Sequence, residues 1–306
     1  MSDALPPYIR PAHVAALAAA FGPGHAVLPV AAWDGAAVLL RPIPGTGWHD
    51  ATGPYPLLPF GTGWDIAAGL AEIAAAGAIS LVAVTDPLAP CPAPKLFAHA
   101  VPFKRHRLVL GGPVDYVPDT HHRRRLRRAA SCELAEVALD AVMPDWLRLY
   151  AGLAARRGFA GGMQDFPLSY MASLPPLGLR CFAAREAGAI VAMGLWLQHG
   201  DTAWYHLGAA DAAGRESGAG HAVMDLAIRR LLADGVTRIV LGGGLATAAE
   251  PPCGLDRFKA GFANASRVNL LLGAVLDEAR CAALGDATGG GFFPAYRAPP
   301  ATARAA

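Results

Sequence analysis

Between Leu179 and Gly244 the chain runs through one ordered series that limits its possible folds more than any other feature. Leu179 to Ala184, Ala189 to Gln198 and Thr202 to Gly208 are apolar runs of strand length. Glu186-Ala187-Gly188 and His199-Gly200-Asp201 join them, short polar turns with glycine that suit an antiparallel meander. Gly218 to Ala233 then carries the apolar spacing of a helix, which Gly235 ends. Thr237 to Leu241 follows as a β-branched strand and opens into Gly242-Gly243-Gly244. A meander, a helix and a returning strand predict an α/β (α+β) fold, with a mixed, mostly antiparallel sheet flanked by helices.

The upstream half repeats part of this plan. Asp65 is placed to cap a helix running to Ala76, Gly77 ends it, and Ile79 to Val84 is an apolar strand. Glu72 to Val84 and Arg229 to Leu241 thus share helix, glycine and buried strand, which points to two similar units in tandem. Other expected elements are a helix from His13 to Phe21, strands at Ala26 to Val30 and Ala36 to Pro42, and a strand at Arg107 to Leu110. Residues 42 to 64, rich in glycine, proline and aromatics, read as a structured loop region. Further helices are expected over His121 to Ala130 and from Pro144 to Arg157, where Trp146, Leu149, Tyr150 and Leu153 make one apolar face.

A length of 306 residues suits two domains. The expected division is 1–140, completed by 277–297, then 141–276, with 298–306 a disordered tail. A net charge of +2 excludes a generally basic nucleic-acid binder, so any such site is a local patch. The five cysteines form no CxxC pair, which argues against a disulfide framework or a zinc site, and no permanent cofactor or metal is expected. No stretch could span a bilayer and the N-terminus does not read as a secretory signal, so a soluble, cytoplasmic setting is expected.

Two motifs carry the chemistry. Arg215-Glu216-Ser217-Gly218-Ala219-Gly220 precedes a helix and resembles the pyrophosphate-binding loop of acetyl-CoA-dependent GNAT enzymes, in which glycines and free N–H groups hold phosphate. The alternative is that Gly218 and Gly220 only permit a tight helix entry. Further on, Leu241-Gly242-Gly243-Gly244 leads to Leu255-Asp256-Arg257-Phe258-Lys259-Ala260-Gly261-Phe262. This arrangement resembles FemXAB-type (FemAB-like) aminoacyltransferases and their GNAT-superfamily relatives. The resemblance extends through Trp204 to Gly208, Leu147 to Tyr150, His121 to Ala129 and Phe292 to Arg297, covering most of residues 116 to 297.

The resemblance implies two GNAT-like domains in tandem, acceptor side first and donor side second, with a substrate cleft between them. It implies transfer of an amino acid from aminoacyl-tRNA to an amine acceptor, a cell-wall precursor or natural-product intermediate, without a covalent enzyme intermediate. Phe258 would lie against the terminal nucleoside and Lys259 would stabilise the developing oxyanion. Gly243 would line the donor site. Arg215, Gly218 and Gly220 would serve the alternative donor, acetyl-CoA or another acyl-CoA. A further alternative is a non-catalytic binding protein with the same fold.

The remaining candidates are weaker. Arg124, Arg125 and Arg128 belong to a basic run that could meet tRNA phosphates, against a plain solvated helix face. Tyr55, in Gly53-Pro54-Tyr55-Pro56, together with Arg157, Tyr205 and His206, is a candidate acceptor contact, against core or surface packing. Asp115 and Asp256 stand as candidate helpers in proton transfer. Family members with a long coiled-coil arm differ from this chain, which has no heptad stretch.

Overall fold

The computed structural model describes residues 4–158, 166–244, 246–285 and 292–298. In chain order its elements are α1 (Pro11–Phe21), β1 (Ala26–Val30), β2 (Ala36–Pro42), β3 (His49–Thr52), α2 (Ile66–Ala75), β4 (Ala78–Val84), β5 (His99–Leu110), α3 (Thr120–Arg128) and β6 (Glu133–Val137). There follow α4 (Met143–Arg157), α5 (Leu168–Ala172), β7 (Leu179–Glu186), β8 (Ala189–His199), β9 (Thr202–Ala210), α6 (Ala212–Ser217), α7 (Ala219–Ala233), β10 (Arg238–Gly242), α8 (Gly254–Ala260), β11 (Ala265–Val275) and α9 (Glu278–Ala283).

Two compact units divide the chain, Met1–Phe103 with Asn269–Ala306, and Lys104–Val268. The division therefore falls inside β5 and β11 instead of at 140/141 and 276/277, and α3 belongs with the second unit. Sequence pattern could not place it there, because the strand pairing that holds β5 to β10 is long-range. The tail expected to be disordered lies, except for Ala298, outside the described residues.

In the first unit β1, β2 and β3 pair antiparallel, β4 lies parallel to β3, and β11 pairs antiparallel with β4. Strand β3 falls within the stretch expected to be loop. Its residues, His49-Asp50-Ala51-Thr52, have no strand-like alternation of their own. They are held by neighbours on both sides and by Asp50, buried between Arg41 and Arg297 at 2.9 and 2.8 Å. Asp65 caps α2 by accepting from the Ala68 N–H at 2.9 Å. The core of this unit gathers Trp33, Phe60, Trp64, Ile73 and Leu81, with Trp33 and Trp64 stacked at 5.6 Å.

The second unit has the same plan. Strands β6, β7, β8 and β9 form an antiparallel meander, β10 lies parallel to β9, and β5 pairs antiparallel with β10. Ala187 and Gly188 both have positive φ, 50° and 80°, which gives the β7–β8 hairpin a two-residue turn matched to strand twist. Helix α7 buries Ala222, Val223, Ala227, Ile228 and Leu231 against the sheet residues Phe182, Ala192, Trp196 and Ile239. Removal of this apolar face from water holds α7 against the sheet. The two helix-to-strand corners match closely: Gly77 and Gly235 both have φ +89°.

Strands β9 and β10 pair only from Thr202↔Arg238 to Trp204↔Val240. Beyond Trp204, β9 continues to Ala210 without β10 beside it, and a bulge at His206 lies between Tyr205↔Trp196 and Leu207↔Leu195. The two parallel strands therefore part at Tyr205.

Candidate active site

Where the strands part, the end of β10 runs into three glycines, and the side chains around them explain why. Lys259, on α8, donates from Nζ to the Gly243 carbonyl at 2.7 Å. The same Nζ lies 5.6 Å above the Tyr205 ring, where the chain leaves the β9–β10 pairing. Lys104, on β5, donates from Nζ to the Gly244 carbonyl at 3.1 Å. Asp256 accepts from the Gly244 N–H at 3.1 Å and from the Cys253 N–H and Sγ at 3.2 and 3.1 Å. A Cβ on Gly242 would lie 2.9 Å from Lys259 Nζ, and one on Gly244 would overlap the Asp256 carboxylate. The glycines are the space into which two lysines and an aspartate fit.

Lys259 is 7% exposed and Asp256 5%. Burial pulls the Lys259 ammonium down to about 8; Asp256 opposes that shift, Lys104 reinforces it, and Cys253 opposes it. Burial also lowers Lys104, against the opposing pull of Asp256, Cys253 and Glu250. His106, two residues along β5 from Lys104, is pushed down to about 3 by burial and then by Lys259 and Lys104. It is therefore neutral at ordinary pH. A lysine poised near 8 in a desolvated site remains mostly charged at pH 7 yet is far more available for chemistry than a surface lysine.

Phe258 is half-buried in an aromatic cluster. Its ring meets His221 edge-on at 4.9 Å and Phe262 at 5.4 Å. His122 ties this cluster to α8: Nδ1 faces Asp119 at 2.9 Å and Nε2 faces the Phe258 carbonyl at 2.8 Å. Gly261 leaves room for the His122 ring, which a Cβ there would overlap. The turn that presents Lys259 is thus fixed by a buried histidine on α3.

The run from Arg215 to Gly220 is not an open loop. Arg215 to Ser217 close the short helix α6, which Asp211 caps, and Arg215 turns its Nη1 to the Ala210 carbonyl at 2.8 Å. Gly218 is the left-handed junction, φ +87°, between α6 and α7, and the Arg125 carbonyl lies 3.0 Å from where its Cβ would be. Gly220 is in the first turn of α7 with ordinary space around it. The end of α3 therefore lies over the start of α7. The expected loop becomes a helix because Asp211 supplies an N-cap that the sequence pattern alone did not weigh.

Arg157, exposed in the last turn of α4, belongs with Arg156 and Arg215 to one basic group, close enough that both neighbours lower Arg156 after burial does. Arg124 and Arg128 are exposed on α3 and Arg125 is half-buried beside His221. Tyr205 packs on Trp196 at 5.0 Å, whereas His206, buried, meets the Tyr170 hydroxyl at 3.0 Å. Tyr55 lies in the first unit, where its carbonyl faces His13 Nε2 at 3.0 Å. Asp115 accepts from the Gly112 N–H at 2.7 Å in a turn apart from the lysines.

Residues 120–259 match the family model described as an acetyltransferase (GNAT) domain. Within that span the sequence resembles a GNAT acetyltransferase domain. A search of the curated proteins finds no match. Among solved structures the chain resembles FemX, at 10% identity and a TM-score of 0.62, over 81% of this chain and 86% of that one. It also resembles the C-terminal domain of a putative lysylphosphatidylglycerol synthetase from Agrobacterium fabrum, at 18% identity and TM-score 0.57, over 92% and 93%. L-PGS from Bacillus licheniformis matches at 10% and 0.57, over 91% and 94%. At these identities the likeness is one of fold alone. Among the described residues no helix is long and apolar enough to cross a membrane.

Lys259, Gly243 and Asp256 follow from the sequence pattern, whereas Lys104, His106, Cys253 and His122 join them only through strand register and helix packing. One signal was available: the chain has three lysines, and two of them meet at these glycines.

Proposed function

We propose that this protein forms an amide by moving an amino acid from aminoacyl-tRNA to an amine acceptor, a small molecule or peptide such as a cell-wall precursor or a natural-product intermediate. The observation that carries the reading is Lys259, a buried ammonium at the place where β9 and β10 part. In acyl transfer the amine nitrogen forms a bond to the ester carbonyl carbon while the carbonyl oxygen becomes negative. Collapse of that species breaks the ester C–O bond, and the ribose hydroxyl leaves with a proton that the amine gives up through water. A preorganised cation in a desolvated site stabilises the negative oxygen far more than one in bulk water does. Lys259 supplies that cation, held in place by the Gly243 carbonyl and by α8.

Two basic groups suit a polyphosphate donor. One is the last turn of α3 with Arg125 and Arg128; the other is Arg156, Arg157 and Arg215. Phe258, half-buried and with His221 on its edge, is the ring on which a terminal adenine would rest.

The acyl-CoA reading draws on the acetyltransferase (GNAT) match over residues 120–259 and on the start of α7, whose first-turn N–H groups have no side-chain cap. Against it, the end of α3 lies over that start. Incubation with labelled aminoacyl-tRNA and amines, with and without ribonuclease, and in parallel with acetyl-CoA and a thiol reagent, separates the two. Ribonuclease-sensitive product is expected; thiol release without dependence on RNA would remove the tRNA reading. Lys259→Ala is expected to cost about a hundredfold in kcat, the loss typical of one oxyanion donor.

A further inference from the structure

Side chains alternate along a strand, so Lys104 and His106 lie on one face of β5. Arg107 pairs with Gly242, which brings this face alongside Gly243 and Gly244. Lys259 Nζ and Lys104 Nζ hold the carbonyls of those two consecutive glycines. Two ammonium groups thus share one small region with the buried carboxylate of Asp256. Its oxygens accept from the Gly244 N–H, the Cys253 N–H and the Cys253 thiol. Beside the lysines, His106 is 5% exposed and its Nδ1 has no hydrogen-bond partner among the described residues. A buried polar atom without a partner costs free energy. That cost disappears when an anion enters and accepts from it.

We infer that Lys104, His106 and Lys259 form a three-donor cradle for an anion, the oxygen that turns negative when the donor carbonyl is attacked. This rests on the acyl-transfer reading above and makes Lys104 and His106 catalytic residues alongside Lys259. His106 acts as a neutral donor through Nδ1–H and takes no proton. The two lysines share the charge, so the oxyanion relieves their mutual repulsion at the moment it forms.

The chain's three lysines make the test direct. Biosynthetic labelling with lysine carrying 13C at Cε gives one signal each for Lys95, Lys104 and Lys259, and inorganic phosphate serves as the probe anion. Phosphate is expected to shift the titrations of Lys104 and Lys259 upward and to leave Lys95 unmoved. Lys104→Gln removes the response of Lys259, and His106→Leu weakens phosphate binding about tenfold. In transfer assays both variants lose about a hundredfold in kcat with little change in KM. The cradle is overturned if phosphate moves neither Lys104 nor Lys259, or if both variants keep wild-type kcat. Should Lys104→Gln fail to fold, the wild-type and His106→Leu titrations decide alone. A phosphate response without transfer from any donor supports the cradle and sinks the acyl-transfer reading; transfer without a phosphate response sinks the cradle only.

Discussion

Replacing Lys259 with methionine should stabilise the protein at neutral pH while removing its activity. In the unfolded chain a lysine titrates near 10.5, whereas burial holds Lys259 at about 8. Each unit of that difference corresponds to about 1.4 kcal/mol, so burying the charged form costs about 3 kcal/mol. The cost is fully present below pH 8, where both states are protonated. It fades as the pH rises from 8 to 10.5, because the unfolded chain then binds more protons than the folded one. Methionine fills a similar volume without charge, and the loss is the hydrogen bond to the Gly243 carbonyl, about 1 kcal/mol, since the attraction to Asp256 is already contained in the shifted pKa. Lys259→Met is therefore expected to be more stable than wild type by about 1–2 kcal/mol at pH 7, and to lose that advantage by pH 10. Urea denaturation of both proteins at intervals from pH 7 to 10 measures it, and the difference between the two cancels the tyrosines and cysteines that titrate in the same range. A stability difference that stays flat across this interval would refute the claim that the ammonium is buried.

The same titration predicts that transfer falls as pH rises above about 8, and that Lys104→Gln moves this limb upward, since Lys104 is one of the groups holding Lys259 down; a pH profile of kcat reads both. Gly244→Ala, whose Cβ would overlap the Asp256 carboxylate, should destabilise by about 2 kcal/mol or more and reduce activity, as seen by denaturation and rate together. His122→Leu removes the tie from α3 to the Phe258 carbonyl and leaves that carbonyl without its partner; kcat is expected to fall while donor binding changes little. With aminoacyl-tRNA as donor, replacing Arg124, Arg125 and Arg128 by glutamine should reduce the slope of log affinity against log salt by about 2, measured by RNA binding at several ionic strengths.

The second unit was largely legible because its signals are local. Apolar runs, glycine turns and the helix from Ala219 announce themselves over a few residues each, and β7, β8, β9 and α7 lie where those signals put them. Lys259 was legible for the same reason, since a lysine beside a glycine-rich strand end is uncommon in a chain with three lysines. Strand β3 and the first half of β5 were not legible: Asp50 belongs in a strand only because two arginines neutralise it, one of them close to the far end of the chain. His106 and Lys104 were hidden likewise, since their meeting with Lys259 follows from the register of β5 on β10. Asp211 was visible but unread as a helix cap, and so α6 was mistaken for a loop.

The matched corners at Gly77 and Gly235 set two strands on the same course. Each corner has the same left-handed bend and feeds a strand with one parallel and one antiparallel neighbour. Past the corner the two strands end differently. Strand β4 runs into Thr85, whose N–H, carbonyl and hydroxyl are all taken by Asn269 and Leu270. Strand β10 runs into glycines that hold a place open for lysines. One strand end is closed by its own neighbours and the other is packed with charged side chains, so a substitution at the first answers to packing alone while one at the second also disturbs the balance between two ammonium groups and a carboxylate.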